Sequence, residues 1–114
     1  MTAAVTILYP LWLNKKKTKK SSFDWEYYYT KHVPLVGHIF GDKLKSYNVA
    51  KPRYTIYDTH DYHTIANLYF NSSEDYDGFP IFKCRADIVN FTNSHYQIFL
   101  GNIVLSDVLD KINT

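Results

Sequence analysis

Two short segments are apolar on both alternating sets of positions, and nothing else in the chain constrains its fold as tightly. Ala4 to Tyr9 is continuously apolar apart from Thr6, and Thr64 to Phe70 reads Thr-Ile-Ala-Asn-Leu-Tyr-Phe, apolar on both sets apart from Asn67. Successive side chains of a strand point to opposite faces, so such segments need cover on both sides and read as central strands. Leu44 to Ala50 alternates loosely and reads as an edge strand, and Tyr96 to Leu105 as a last strand, weakened or bulged at Gly101.

Helical signals fall between these strands. Asn14-Lys15-Lys16-Lys17-Thr18-Lys19-Lys20-Ser21-Ser22 has no apolar residue and five like charges, which makes it a solvated loop. Asp24 then caps a first helix, with Phe23 and Tyr28 placed as a hydrophobic staple. Trp25, Tyr28, His32, Leu35, Val36, Ile39 and Phe40 recur at spacings of three and four, an apolar stripe on one face that Gly41 ends. Pro34 lies inside this stripe and predicts a kink or a division beside His32. A polar loop with Pro52, Asp58, His60 and Asp61 follows the edge strand. A second helix is predicted from Asn71-Ser72-Ser73-Glu74-Asp75, with Tyr76, Phe79, Phe82, Ala86 and Val89 as its buried face and with Gly78 and Pro80 weakening its first turns.

The order is βαββαβ, an α+β ferredoxin-like arrangement in which two helices cover one face of a four-stranded antiparallel sheet. The helices shield a single side, while two strands are apolar on both. A homodimer packing sheet on sheet through the open face would cover the remainder.

With 114 residues, 46% hydrophobic and 21% charged, the chain is read as one globular domain over 1–114 rather than a disordered one. Apolar runs such as Ile103-Val104-Leu105 fall far short of the roughly 20 residues of a membrane span. The N-terminus has no basic stretch ahead of its apolar run, and the expected location is cytoplasmic. The single cysteine, Cys84, excludes an internal disulfide and a zinc site built from several thiolates. Without the five loop lysines, the thirteen basic residues fall to eight against eleven acidic, so no nucleic-acid-binding face is expected. Eleven Tyr and seven Phe suit interfaces and pockets for flat ligands.

The segment Phe23-Asp24-Trp25-Glu26-Tyr27-Tyr28-Tyr29-Thr30-Lys31-His32-Val33-Pro34-Leu35-Val36 resembles the EthD family signature, a Phe-Asp start, a Tyr pair, then Thr-x-His-x-Pro-Leu. The likeness continues through Leu44-Lys45-Ser46-Tyr47-Asn48-Val49 and Leu68-Tyr69-Phe70. It implies a ferredoxin-like dimeric α/β barrel and a cofactor-free oxidoreductase of monooxygenase type, or a lyase. The chain departs from the pattern in its long lysine loop, in a loop between strands two and three that is poor in Gly and Pro, and in Gly78 and Pro80. Those departures bear on substrate identity more than on fold.

His32 is the candidate catalytic residue. An imidazole on an apolar stripe is partly desolvated, which favours the neutral form a general base needs. The carbonyl of Thr30, freed by Pro34, or a Tyr hydroxyl is expected to fix its tautomer; the plainer alternative is that His32 only satisfies that carbonyl. Asn67, in a two-sided strand, must find partners or line a wet cavity, and Tyr28, Tyr47 and Tyr69 are candidates to bind substrate with it. The expected activity is that of a cofactor-independent enzyme, of oxidoreductase or lyase/cyclase type, on a small aromatic or polyketide-like molecule. A non-catalytic binding or carrier protein using the same pocket is the alternative. No cofactor or metal is expected: His60 and His63 with Asp58 and Asp61 sit in a loop without a supporting shell, and His32 and His38 face different directions. Cys84 is read as a small buried residue.

Overall fold

The structure, a computed structural model, describes residues 2–14, 16–52 and 61–103. Strand β1 (Ala3–Pro10) and strand β3 (Tyr62–Phe70) are central, β2 (Ser46–Ala50) and β4 (Gln97–Asn102) are the edges, and the antiparallel order is β2-β3-β1-β4. The two doubly apolar segments therefore occupy the middle of the sheet. Ala3, Val5, Ile7 and Tyr9 of β1 and Thr64, Ala66, Leu68 and Phe70 of β3 are buried beneath the helices. Their alternates, including Thr6, Leu8, Ile65, Asn67 and Tyr69, are half-buried on the open face.

The first helix starts where its cap residue predicts. Asp24 is extended, and its carboxylate accepts the Tyr27 N–H at 3.0 Å. The rings of Phe23 and Tyr28 close the staple at 5.3 Å. The division expected at Pro34 comes slightly earlier: one turn, α1 (Trp25–Tyr27), leads into a π-helical turn over Tyr28–His32, and α2 (Val33–Phe40) then restarts with Pro34 in its first turn. The backbone stays helical through the junction, with the Val33 N–H on the Tyr28 carbonyl, and the π-helical turn accommodates a proline that has no N–H to continue the ladder. The wider turn points Tyr28 and His32 inward together and leaves Tyr29, Thr30 and Lys31 exposed. Gly41, at φ 57°, ends the helix.

The second helix departs from its predicted pattern. The acidic start forms only a 3-10 turn, Ser73–Asp75, with the Ser72 N–H on Asp75 Oδ2 at 3.3 Å. Gly78, at φ 84°, breaks the chain, and α3 (Phe79–Ala86) restarts with Pro80 in its first turn. The break resets the helical phase. Cys84 and Ile88 are buried and Ile81 partly so, while Phe82 is 60% and Val89 78% exposed and Ala86 is exposed, contrary to the face read from the sequence. Tyr76 is buried as expected; the side chain of Phe79 lies outside the described set, as do Asp58, His60, Val104 and Leu105. Gly101 pairs with Ala4 in unbroken register, so the bulge expected there is absent, and a register shift falls instead at Tyr9/Pro10.

The lysine loop is an arm folded back on itself. The Leu13 N–H reaches the Lys19 carbonyl at 2.8 Å, the Ser21 N–H reaches the Leu11 carbonyl at 2.7 Å, and Trp12 bridges Lys20. Among the described residues, no helix is long and apolar enough to cross a membrane.

Candidate active site

The inward turn of the π-helical segment places His32 in the layer between helices and sheet, 2% exposed, stacked on Tyr28 with ring centres 5.5 Å apart and against Phe91 at 4.6 Å. Its Nδ1 lies 2.9 Å from Asp87 Oδ2. Asp87 follows α3 directly, and its other oxygen accepts the Tyr27 hydroxyl at 2.8 Å and Asn90 Nδ2 at 2.9 Å. Burial pushes the Asp87 pKa up, but hydrogen bonds from His32, Asn90 and Tyr27 together outweigh it and hold the carboxyl below its ordinary value. An ionised carboxylate only accepts, so Nδ1 carries the proton. Burial lowers the His32 pKa, and the hydrogen bond and charge of Asp87 offset that only in part. The ring is therefore neutral near neutral pH, with its lone pair on Nε2. Nε2 has no hydrogen-bond partner among the described residues. His32 borders a cavity of about 10 Å³, shared with Ile7, Val36, Tyr47, Ile81 and Arg85. That is room for about one water molecule.

The tautomer is thus set by Asp87, not by the Thr30 carbonyl or a Tyr hydroxyl. The ring points across to the end of α3, away from its own backbone. Two Tyr candidates meet beside it: the hydroxyls of Tyr28 and Tyr47 are 3.3 Å apart. Tyr9, which the sequence did not single out, is fully buried and its hydroxyl has no hydrogen-bond partner among the described residues. Burial raises the pKa of all three phenols, so they remain protonated donors. Cys84 also borders the cavity, but burial, with Asp87 nearby, pushes its thiol up to about 11, which leaves it a poor nucleophile near neutral pH.

Asn67 and Tyr69 are not part of this cluster. Their β3 neighbours Ala66, Leu68 and Phe70 face the helices, so alternation puts both on the open face, where Thr6 Oγ1 donates to Asn67 Oδ1 at 2.8 Å and Asn67 Nδ2 to Asn48 Oδ1 at 3.1 Å. His63 Nε2 lies 2.8 Å from Ser21 Oγ, whose one proton already has two carbonyl acceptors at 2.9 Å, so the imidazole donates and does not activate the hydroxyl. No group of three or more His, Cys, Asp or Glu comes together among the described residues.

The pair carries a pH signature. Because the folded-state pKa of His32 lies below its ordinary 6.5, the unfolded chain takes up a proton in acid that the folded chain refuses. Stability is full above that value and is lost as pH falls; the depressed Asp87 pKa acts in the same direction further into acid. Urea unfolding midpoints should therefore drop from about pH 7.5 to about pH 5, and His32→Gln, which does not titrate, should flatten the drop. An unchanged slope in the variant would show that His32 does not carry it.

No family model and no curated protein matches the sequence. Solved structures do. An EthD-like protein from Ralstonia eutropha JMP134 superposes with a TM-score of 0.73 at 19% identity, over 92% of this chain and 94% of its own. This chain has the EthD fold. An ethyl tert-butyl ether degradation (EthD) family protein from Bacillus halodurans C-125 gives a TM-score of 0.68 at 16% identity, over 91% of this chain and 100% of its own. A cofactor-independent oxygenase from Streptomyces nogalater, SnoaB, shares the architecture at 0.50 and 7% identity, over 92% and 96%. Within the EthD fold, the His32–Asp87 pair joins the π-helical turn of the first helical layer to the end of the second.

Proposed function

We propose that the protein is a cofactor-independent enzyme, an oxidoreductase or a lyase/cyclase, acting on a small aromatic or polyketide-like molecule with His32 as general base. The observation that carries this reading is the buried imidazole tied through Nδ1 to the Asp87 carboxylate at 2.9 Å, its Nε2 without a hydrogen-bond partner among the described residues and its ring bordering a cavity. A proton from an acidic C–H or phenolic O–H would pass to Nε2, and Asp87 would steady the imidazolium. The electron pair left on the substrate then attacks dioxygen, the co-substrate of the oxidoreductase branch, or a carbonyl of the same molecule in the cyclase branch. Hydroxyls of Tyr28, Tyr47 and Tyr9 are donors for the developing oxyanion. The fold shared with a cofactor-independent oxygenase supports the same reading.

Entry requires α3 to yield, since the cavity holds about one water and Arg85, which borders it, donates from Nε to the Tyr96 hydroxyl at 3.1 Å. That tightness favours one competing reading, a non-catalytic binding or carrier protein using the same pocket. A cyclic 1,3-diketone in D₂O separates the two: wild-type protein should speed exchange of the acidic C–H, followed by NMR, beyond the buffer rate. Binding without acceleration would point to a carrier.

The reading includes a second copy on the open face, where half-buried Leu8, Ile65 and Tyr69 and the 54%-exposed Phe99 flank the Thr6–Asn67–Asn48 polar line. Light scattering should give twice the 13.4 kDa chain mass, and Phe99→Glu should shift it toward the monomer, because an unpaired charge in an apolar interface is costly. A wild-type monomer at micromolar concentration would remove the dimer.

A further inference from the structure

A second concavity shares no lining residue with the His32 cavity. It has a volume of about 450 Å³ and lies where the lysine arm leaves β1, lined by Pro10, Trp12, Leu13, Lys17, Tyr62 and His95 among others. That volume is in the range of small-molecule sites, and the wall combines aromatic rings with aliphatic surface. The arm shapes it. Lys17 is the one described non-glycine residue with positive φ, 56°, and its ammonium reaches Asp61 at 2.9 Å across the groove lining. A bulky residue keeps that conformation only where its surroundings enforce it, and such residues concentrate at ligand sites.

Two further features bear on what the groove takes. The Trp12 indole N–H is buried with no hydrogen-bond acceptor among the described residues, and Lys20 Nζ lies 5.7 Å from the centre of the same ring. Of the arm's described lysines, Lys17 alone is paired; Lys16, Lys19 and Lys20 make no ion pair with described residues and are exposed. The geometry points to a binding site for a flat aromatic anion of the arenecarboxylate class, its ring seated among Trp12, Tyr62 and Pro10 and its charge met by Lys17 and by Lys20 beside the Trp12 ring. Aromatic walls supply the stacking, and the ammonium groups of Lys17 on the lining and of Lys20 beside the Trp12 ring favour an anion. A polyanion would need a basic track beyond the arm, and outside it the chain carries more acids than bases. The lysine run thereby gains a role as one wall of a ligand groove.

The test is titration of the full-length protein with 2-naphthoate, followed on the two indole N–H resonances, with Trp12 assigned through Trp12→Phe. The Trp12 signal should move and the Trp25 signal should not. Binding should weaken about tenfold or more for the uncharged 2-naphthamide, in high salt, and in Lys17→Gln/Lys20→Gln. Both lysines are exposed, so the double variant should keep the wild-type unfolding midpoint, and the amide and salt arms need no variant at all. Naphthamide binding as tightly as naphthoate would overturn the anion assignment, and inorganic phosphate binding as tightly would overturn the aromatic one. A Trp12 resonance unmoved at millimolar naphthoate would overturn the site. His32→Gln should leave this titration unchanged, so its outcome is independent of the reading of the interior pair.

Discussion

In His32→Gln, exchange of the diketone proton should fall about 10²–10⁴-fold toward the buffer rate, the range a positioned general base contributes. Glutamine is the informative replacement because its amide NH₂ can still donate to Asp87, keeping a partner for a carboxylate that otherwise loses one of its three donors. What it lacks is the basic lone pair of the imidazole Nε2. Binding of the diketone should change little, so the loss should appear in the rate at saturation and not in the concentration that half-saturates. A second readout separates chemistry from packing: the wild-type rate should rise with pH as His32 loses its proton, levelling off below the ordinary histidine value because burial lowers the pKa, and the residual rate of the variant should lack that limb. A variant that retains wild-type exchange would take His32 out of the mechanism, whatever its effect on stability.

The architecture was legible because its signals are local or periodic. Two doubly apolar segments demanded central strands, Asp24 marked a helix start through its own N–H acceptor, and Pro34 and Gly41 broke the first helix within a few residues of where they stand. The second helix was misjudged in phase. One frame was carried from Tyr76 through Gly78, whereas a glycine at φ 84° restarts the count, and only residues beyond it share a face. The site was half legible. His32 stood out as a polar residue on an apolar stripe, but its partner Asp87 is 55 positions away on another element, and no spacing rule connects them. Grouping Asn67 and Tyr69 with Tyr28 and Tyr47 failed for want of register: Tyr47 pairs with Leu68 and shares its helix-facing side, and that parity is fixed by β2–β3 pairing rather than by either strand alone. Tyr9 was passed over because a tyrosine in a strand looks like any other core residue until its hydroxyl is found without an acceptor among the described residues.

The largest loss of stability is expected at Tyr28. Its ring is fully buried and meets Tyr9 at 6.1 Å, Phe23 at 5.3 Å, Trp25 at 6.0 Å, His32 at 5.5 Å and Phe91 at 5.1 Å, so it joins the staple that fixes helix entry to the stack that holds the imidazole. Truncating a buried aromatic to alanine costs about 3–5 kcal/mol, a large share of the roughly 5–15 kcal/mol that keeps a domain folded. Tyr28→Ala should lower the urea midpoint accordingly. Tyr28→Phe keeps every ring contact and removes only the hydroxyl shared with Tyr47, at a cost of about 0.5–1.5 kcal/mol if that bond contributes as a typical one does. The comparison is the decisive part: packing predicts a wide gap between the two variants, whereas a hydroxyl network as the principal support predicts a narrow one. Similar midpoints for Ala and Phe would show that the aromatic layer around His32 is held by the Tyr28–Tyr47 bond, and that the stack is secondary.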